Sequence, residues 1–338
     1  MIWRKSAASS DGETSSAKRV LVIQLGGLGA FVLALAAAKR IREAHVGARI
    51  TLLTTEATKD LAEKAPYFDT VEADGKPTEP QAITKLIARI RAAKYDVVYD
   101  LEGSNRTSNY FQGLRPWPPK WSGPTPGASY AYLDGARAQM HPLDRYAAQL
   151  AVAGLGDEPL MSDVSWVRQV LRDPPRLSPN YFGISGSYIV LLPRGSNADP
   201  SRRWDDAKYA ELARRAAAQG VTPVVLGGAE ERPIGAEIAK AEPRAKNLVT
   251  RPDLFQTIGL LERAAFAVGD DVDLMHIAAA AGVPCLVFLS AAAKLDLSAP
   301  RGRGGVVALT AAVVSDLPVE QVERQLRNCG VLRHAATA

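Results

Sequence analysis

Short apolar, β-branched runs alternate along this chain with longer segments whose apolar positions recur every three to four residues. The run "RVLVIQL" leads into a helical stretch from about Ala30 to Ala44, and "ARITLLTT" leads into a helix near Lys59–Lys64. A strand near Thr70–Glu72 precedes a helix from about Pro80 to Ala93, and the strand "YDVVYDL" is followed by a polar segment, "EGSNRTSNYF". Alternation of strand and helix at this spacing predicts a parallel sheet covered on both faces. The middle of the chain differs. "LRPWPPKWSGPTPGASYAYL" has the Pro, Gly and aromatic content of an irregular loop, and "HPLDRYAAQLAVAGL" is a helix ending at a glycine.

After "RLSPNYFGISGS", which reads as a linker, the alternation resumes. "SYIVLLP", "TPVVLGG", "NLVT", "FAVGD", "PCLVFLS" and "GGVVALT" are strands, separated by helical patterns such as "DDAKYAELARRAAAQG" and "DLFQTIGLLERA". The expected organisation is two successive doubly wound α/β domains. A polar tail occupies residues 1–17, a first domain 18–173, a linker 174–186 and a second domain 187–316. A last helix, within 317–330, is expected to pack back across both domains. Open sheets of this kind bind ligands beyond the carboxyl ends of their strands, which makes the cleft between the domains the default site.

The size, 338 residues, suits two domains rather than one. The net charge of +5 is mildly basic and compatible with phosphate or anionic lipid, but no run of five Lys or Arg offers a nucleic-acid arm. Two cysteines, with Cys285 inside an apolar run, make neither a disulfide framework nor a zinc site, as expected for the cytoplasm. No stretch of about 18 uninterrupted apolar residues is present to span a membrane.

Four segments fall at strand carboxyl ends. In "LGGLGA", Gly26, Gly27 and Gly29 permit close backbone approach and unusual dihedrals, and the helix start that follows favours an anion. The spacing is G-G-x-G, not the dinucleotide fingerprint G-x-G-x-x-G. In "LPRGSNADPSRRWDD", Ser196 offers a hydrogen bond and Arg202 a charge-assisted bond to phosphate. In "LGGAEERP", Glu230 either accepts from a nucleoside or serves as a first-turn acid of a helix. In "VGDDVDLMHIAAAAG", a helix starting near Asp273 has amides suited to a diphosphate, with His276 one turn in. Asp270, Asp271 and Asp273 crowd that anion site, although Asp271 suits a turn or cap. Adjacent carboxylates rarely converge on one ion, so no metal site is expected.

In this order, and especially through "ARITLLTT", "GSNADPSRRWDDAKYAELA", "VVLGGAEE" and "MHIAAAAGVPCLVFLS", these segments resemble the family 9 glycosyltransferases, heptosyltransferase-like enzymes of GT-B fold. The resemblance runs from about Arg19 to Asn328. It implies inverting, metal-independent transfer of a sugar, often a heptose, from a nucleotide sugar, ADP-linked donors among the candidates, to a lipid-linked or envelope saccharide in bacterial lipopolysaccharide biosynthesis. No cofactor is implied, and the enzyme would work in the cytoplasm, with peripheral contact at the inner face of the membrane as an option. The first domain would hold the acceptor, at Gly27, Gly29 and Arg106. The second would hold the donor, at Ser196, Arg202, Glu230, Asp271, Asp273, Met275 and His276.

The sequence departs from the family at two places. The glycine loop of the family ends in Gly-Asp, the Asp being the expected base, where this chain has Gly29-Ala30. The family's Thr-Gly-Pro in the phosphate loop is here Val272-Asp273-Leu274. An inverting transfer needs a group to take the acceptor proton and positive charge or amides to stabilise the leaving diphosphate. Three explanations stand open: Ala30 is an introduced substitution; another carboxylate, Asp100 or Glu102, is the base; or the chain is a non-catalytic binding relative. A nucleotide-sugar epimerase, which shares the two-domain architecture, is the remaining alternative.

Overall fold

The computed structural model describes residues 18–194, 199–270, 272–292, 297 and 299–333. Two six-stranded sheets, every named pair parallel, form its two halves. In the first half the elements run β1 (Arg19–Ile23), α1 (Leu28–Ala44), β2 (Arg49–Leu53), α2 (Glu56–Lys64), β3 (Thr70–Glu72), α3 (Pro80–Ala93), β4 (Val97–Asp100), α4 (Asn105–Gly113), β5 (Lys120–Gly123), β6 (Tyr130–Ala131), α5 (Pro142–Val152) and α6 (Trp166–Val170). The strand order is β3-β2-β1-β4-β5-β6. The second half comprises β7 (Tyr188–Leu192), α7 (Asp206–Ala218), β8 (Thr222–Val225), α8 (Arg232–Ala241), β9 (Lys246–Asn247), α9 (Leu254–Glu262), β10 (Phe266–Asp270), α10 (Asp273–Ala281), β11 (Cys285–Ser290), β12 (Val306–Ala311) and α11 (Val319–Asn328). Its order is β12-β11-β10-β7-β8-β9. In each half the order reverses beside the first strand, and a crevice at such a switch point accepts ligands.

Three expectations change. The polar segment "EGSNRTSNYF" contains helix α4, started by a capping box: Ser104 Oγ accepts from Thr107 N, and Thr107 Oγ1 accepts from Ser104 N. The Pro-rich loop holds β5 and β6, because Trp121 is fully buried against Phe111 and its run joins the edge of β4. Helix α11 does not pack back across both halves. Its apolar face, Val319, Val322 and Leu326, enters the core of the second half alone, and Arg215 on α7 pairs with its Glu320 and Glu323.

One hydrophobic cluster runs from the first sheet to the second. Helix α1 packs on α10, both rich in buried alanines whose small side chains let the backbones approach closely. Polar ties reinforce this joint. Val164 N donates to Ala280 O, Arg301 pairs with Asp144 at 2.7 Å and Arg303 with Asp163 at 2.8 Å. Among the described residues no helix is long and apolar enough to cross a membrane.

Candidate active site

The first half contributes the turn between β1 and α1. Gln24 organises it: its Oε1 accepts from Gly26 N at 2.7 Å, and its Nε2 donates to Tyr146 OH on α5 at 3.1 Å. Leu25 N donates to Glu102 Oε2. None of Gly26, Gly27 and Gly29 adopts a positive φ, so the expected unusual dihedrals are not what glycine supplies here. It supplies room. A methyl on Gly26 would lie 2.9 Å from Ala30 Cβ. Gly27 is the N-cap of α1 and has no side chain to cap it, which leaves the first amides of the helix to other partners.

Helix α5 adds a second wall. His141 is its N-cap: Nδ1 accepts from Leu143 N, and Nε2 donates to Ala299 O in the opposite half. The two bonds fix one neutral tautomer. Burial, with Arg301 nearby, lowers the imidazole to about 4. Arg145 and Tyr146 follow on the next turn.

From the second half comes the β10–α10 turn. Asp270, fully buried at the strand end, accepts from Arg194 N, Trp204 N and Tyr209 OH. It thereby ties both ends of the loop after β7 to the sheet. Burial outweighs these three donors and pushes its carboxyl up to about 7. The N-cap of α10, Val272, offers no side-chain acceptor. Asp273, exposed at the helix start, reaches across to the first half. A methyl on Gly29 would meet its Oδ1 at 2.7 Å, and one on Gly27 would stand 3.6 Å from its Oδ2.

These walls enclose a pocket of about 240 Å³ lined by Gly29, Ala30, Leu33, His141, Pro142, Arg145, Tyr146, Asp273, His276 and Leu297. Two helix starts without side-chain caps, on opposite halves, border it. Such amides favour an anionic ligand. Among the described residues no three His, Cys, Asp or Glu side chains gather as a metal site.

The structure brings together Gly27, Gly29, Ala30, Asp273 and His276. Arg202 lies on a short 3-10 turn after β7, exposed, and Glu230 is exposed beyond β8. Glu231, not Glu230, is the acid that serves the helix start, accepting from Gly228 N at 2.7 Å. Ser196 and Asp271 lie outside the described residues. Three expectations are corrected. Met275 is fully buried in the core, where its side chain cannot meet a donor. Asp100 is fully buried, accepts from Gly103 N and is pushed by burial to about 6; it forms a turn and is closed to an acceptor. Arg106 is not among the described residues of the pocket wall: its Nη1 donates to Pro77 O at 2.5 Å, holding the 73–78 loop to α4. Sequence reasoning missed His141, Arg145 and Tyr146. The signal was present, three chemistry-bearing residues crowded at the start of one helix, but that helix followed an irregular stretch rather than a strand.

Residues 83–289 match the family model described as glycosyltransferase family 9 (heptosyltransferase), a stretch that leaves out the loop carrying Ala30. The chain is 30% identical over 233 residues to lipopolysaccharide heptosyltransferase 2 of Escherichia coli (strain K12), covering 64% of this chain and 65% of that protein. Across the first curated relatives the matched stretch covers between 30% and 65% of their length. The structure superposes on the glycosyl transferase family 9 protein from Veillonella parvula DSM 2008 with a TM-score of 0.77 at 18% identity, covering 95% of this chain and 99% of that one. Against an E. coli heptosyltransferase with ADP the TM-score is 0.73 at 19% identity, covering 92% and 99%. The architecture is GT-B: two α/β halves facing across a cleft.

Proposed function

This chain belongs to glycosyltransferase family 9 (heptosyltransferase), and on that premise we propose that it transfers a heptose-like sugar from a nucleotide-linked donor to a saccharide acceptor of the bacterial envelope, with inversion and without a metal. The observation that carries this reading is the pocket itself, where an uncapped helix start from each half meets a glycine-lined space. Two relatives' names fit a donor of this kind, one an ADP-heptose lps heptosyltransferase and the other a heptosyltransferase with ADP.

The acceptor hydroxyl lies on the first half, beside Gly27 and Gly29, and attacks the anomeric carbon of a donor held on the second. The carbon–oxygen bond to the diphosphate breaks as the new glycosidic bond forms on the opposite face, and the diphosphate leaves with the electron pair. Amides at the start of α10 and the exposed guanidinium of Arg202 stabilise that charge. Glu230, exposed on the turn beyond β8, meets the nucleoside. Asp270 holds the β7 loop where Arg202 can act. Arg145 and Tyr146 face the acceptor. A lipid-linked acceptor would place the enzyme at the cytoplasmic face of a membrane, and Trp117, 87% exposed between Arg115 and Lys120, offers an aromatic and basic contact for it.

Calorimetry against ADP-, UDP-, GDP- and CMP-linked sugars identifies the nucleotide. Product NMR with and without EDTA reads the anomeric configuration and any metal requirement. Donor recovered without acceptor as its sugar epimer, still nucleotide-linked, would identify an epimerase, and donor bound but never turned over would identify a binding relative.

A further inference from the structure

Resting on the transfer reading above, we infer that Asp273 is the group that takes the acceptor proton, so that the carboxylate of this site stands on the donor half rather than on the glycine loop. A direct displacement by a hydroxyl needs a proton acceptor within hydrogen-bond reach of it. Ala30 has none to give.

Among the described residues, the pocket wall holds four other titratable side chains besides Asp273. Arg145 is a cation. Tyr146 is a phenol whose burial raises its pKa further, and its oxygen already accepts from Gln24. His141 uses both ring nitrogens, one for Leu143 N and one for Ala299 O. His276 stands one turn further into α10 and half-buried. Among the described residues, Asp273 is the carboxylate of the wall. It lines the pocket, is exposed, and its carboxylate stands against Gly27 and Gly29 of the opposite loop. Asp100 is sealed in its turn, and Glu102 is absent from the wall, its Oε2 accepting from Leu25 N.

The two departures at Ala30 and Asp273 then become one. A carboxylate missing from position 30 reappears across the cleft at position 273, facing the same space. In the reaction the acceptor O–H proton passes to a carboxylate oxygen of Asp273 while the acceptor oxygen bonds to the anomeric carbon and the nucleoside diphosphate departs.

The test compares the unaltered chain with Asp273→Asn, His276→Gln and the swap Ala30→Asp/Asp273→Gly, measuring acceptor-dependent turnover and, separately, donor binding by calorimetry. Asp273→Asn is expected to lower kcat by about 10²–10⁴ while donor affinity stays level or rises. The swap should recover at least about tenfold of that loss, which a merely structural role for Asp273 would not allow. Turnover by Asp273→Asn within threefold of the unaltered chain overturns the assignment, as does a loss confined to His276→Gln. An unaltered chain that binds donor and never transfers it removes the transfer reading and this assignment together, a result distinct from either.

Discussion

Asp273 and Gly29 face each other across the two halves so closely that a single methyl group on Gly29 would stand 2.7 Å from Asp273 Oδ1 and 3.3 Å from its Cα. The glycine is needed at its position by a residue 244 positions away, not by its own backbone angles. The contact also fixes how near α10 comes to the loop between β1 and α1.

Gly29→Ala is therefore expected to destabilise the fold by about 1–3 kcal/mol. Asp273→Gly should relieve much of that cost. A double-mutant cycle on denaturant unfolding should show a coupling above about 0.5 kcal/mol. Strict additivity would mean that the two residues do not meet in solution.

The buried Asp270 carboxyl, at about 7, holds its proton to a higher pH than the same group in the unfolded chain, near 3.9. Between these values the folded state binds more protons than the unfolded one. This residue's contribution therefore falls as pH rises from about 4 to about 7, by up to about 1.4 kcal/mol per pH unit. Asp270→Asn loses an acceptor for Arg194 N or Trp204 N and should destabilise at every pH. Its cost should shrink between pH 5 and pH 7, as read by unfolding of both proteins at each pH.

His141 has the opposite sign. Its folded value of about 4 lies below the ordinary 6.5, so the unfolded chain takes up the proton first. Stability from this residue is complete above about 6.5 and is lost as pH falls toward 4. Arg301 raises the cost of charging it, while Asp144 offsets part. Replacing His141 by Asn should lower stability at pH 7 and flatten its dependence between pH 6.5 and 4.5, measured by thermal unfolding.

Arg215 bonds Glu211, Glu320 and Glu323, the last with a side chain only 9% exposed. Arg215→Ala leaves Glu323 with Arg327 as its other ion-pair partner. Removing one partner of a nearly buried pair should cost about 1–3 kcal/mol and free α11 for limited proteolysis.

The two-domain fold was legible because it rests on long periodic runs. The buried strands "RVLVI" and "YIVLL" and the alanine-rich helices leave few alternatives at their length and spacing. Short elements were not legible. Strands β5 and β6 form because Trp121 finds a place beneath α4, a long-range fact that Pro and Gly content hides. Within the site, the glycine loop and the α10 start could be found from strand–turn–helix order alone. The destination of a single side chain could not. Met275 and Asp100 sit beside the cleft in sequence and are buried in space, whereas the meeting of Asp273 with Gly29 requires both halves to be folded and docked.

The most direct measurement is the release of nucleoside diphosphate by the chain with Ala30 in place, supplied with a nucleotide-linked heptose and with or without a lipid-linked saccharide acceptor. Release that requires the acceptor, at a rate abolished by Asp273→Asn, is the predicted result. Donor that binds in the pocket and is recovered unchanged with every acceptor would contradict it.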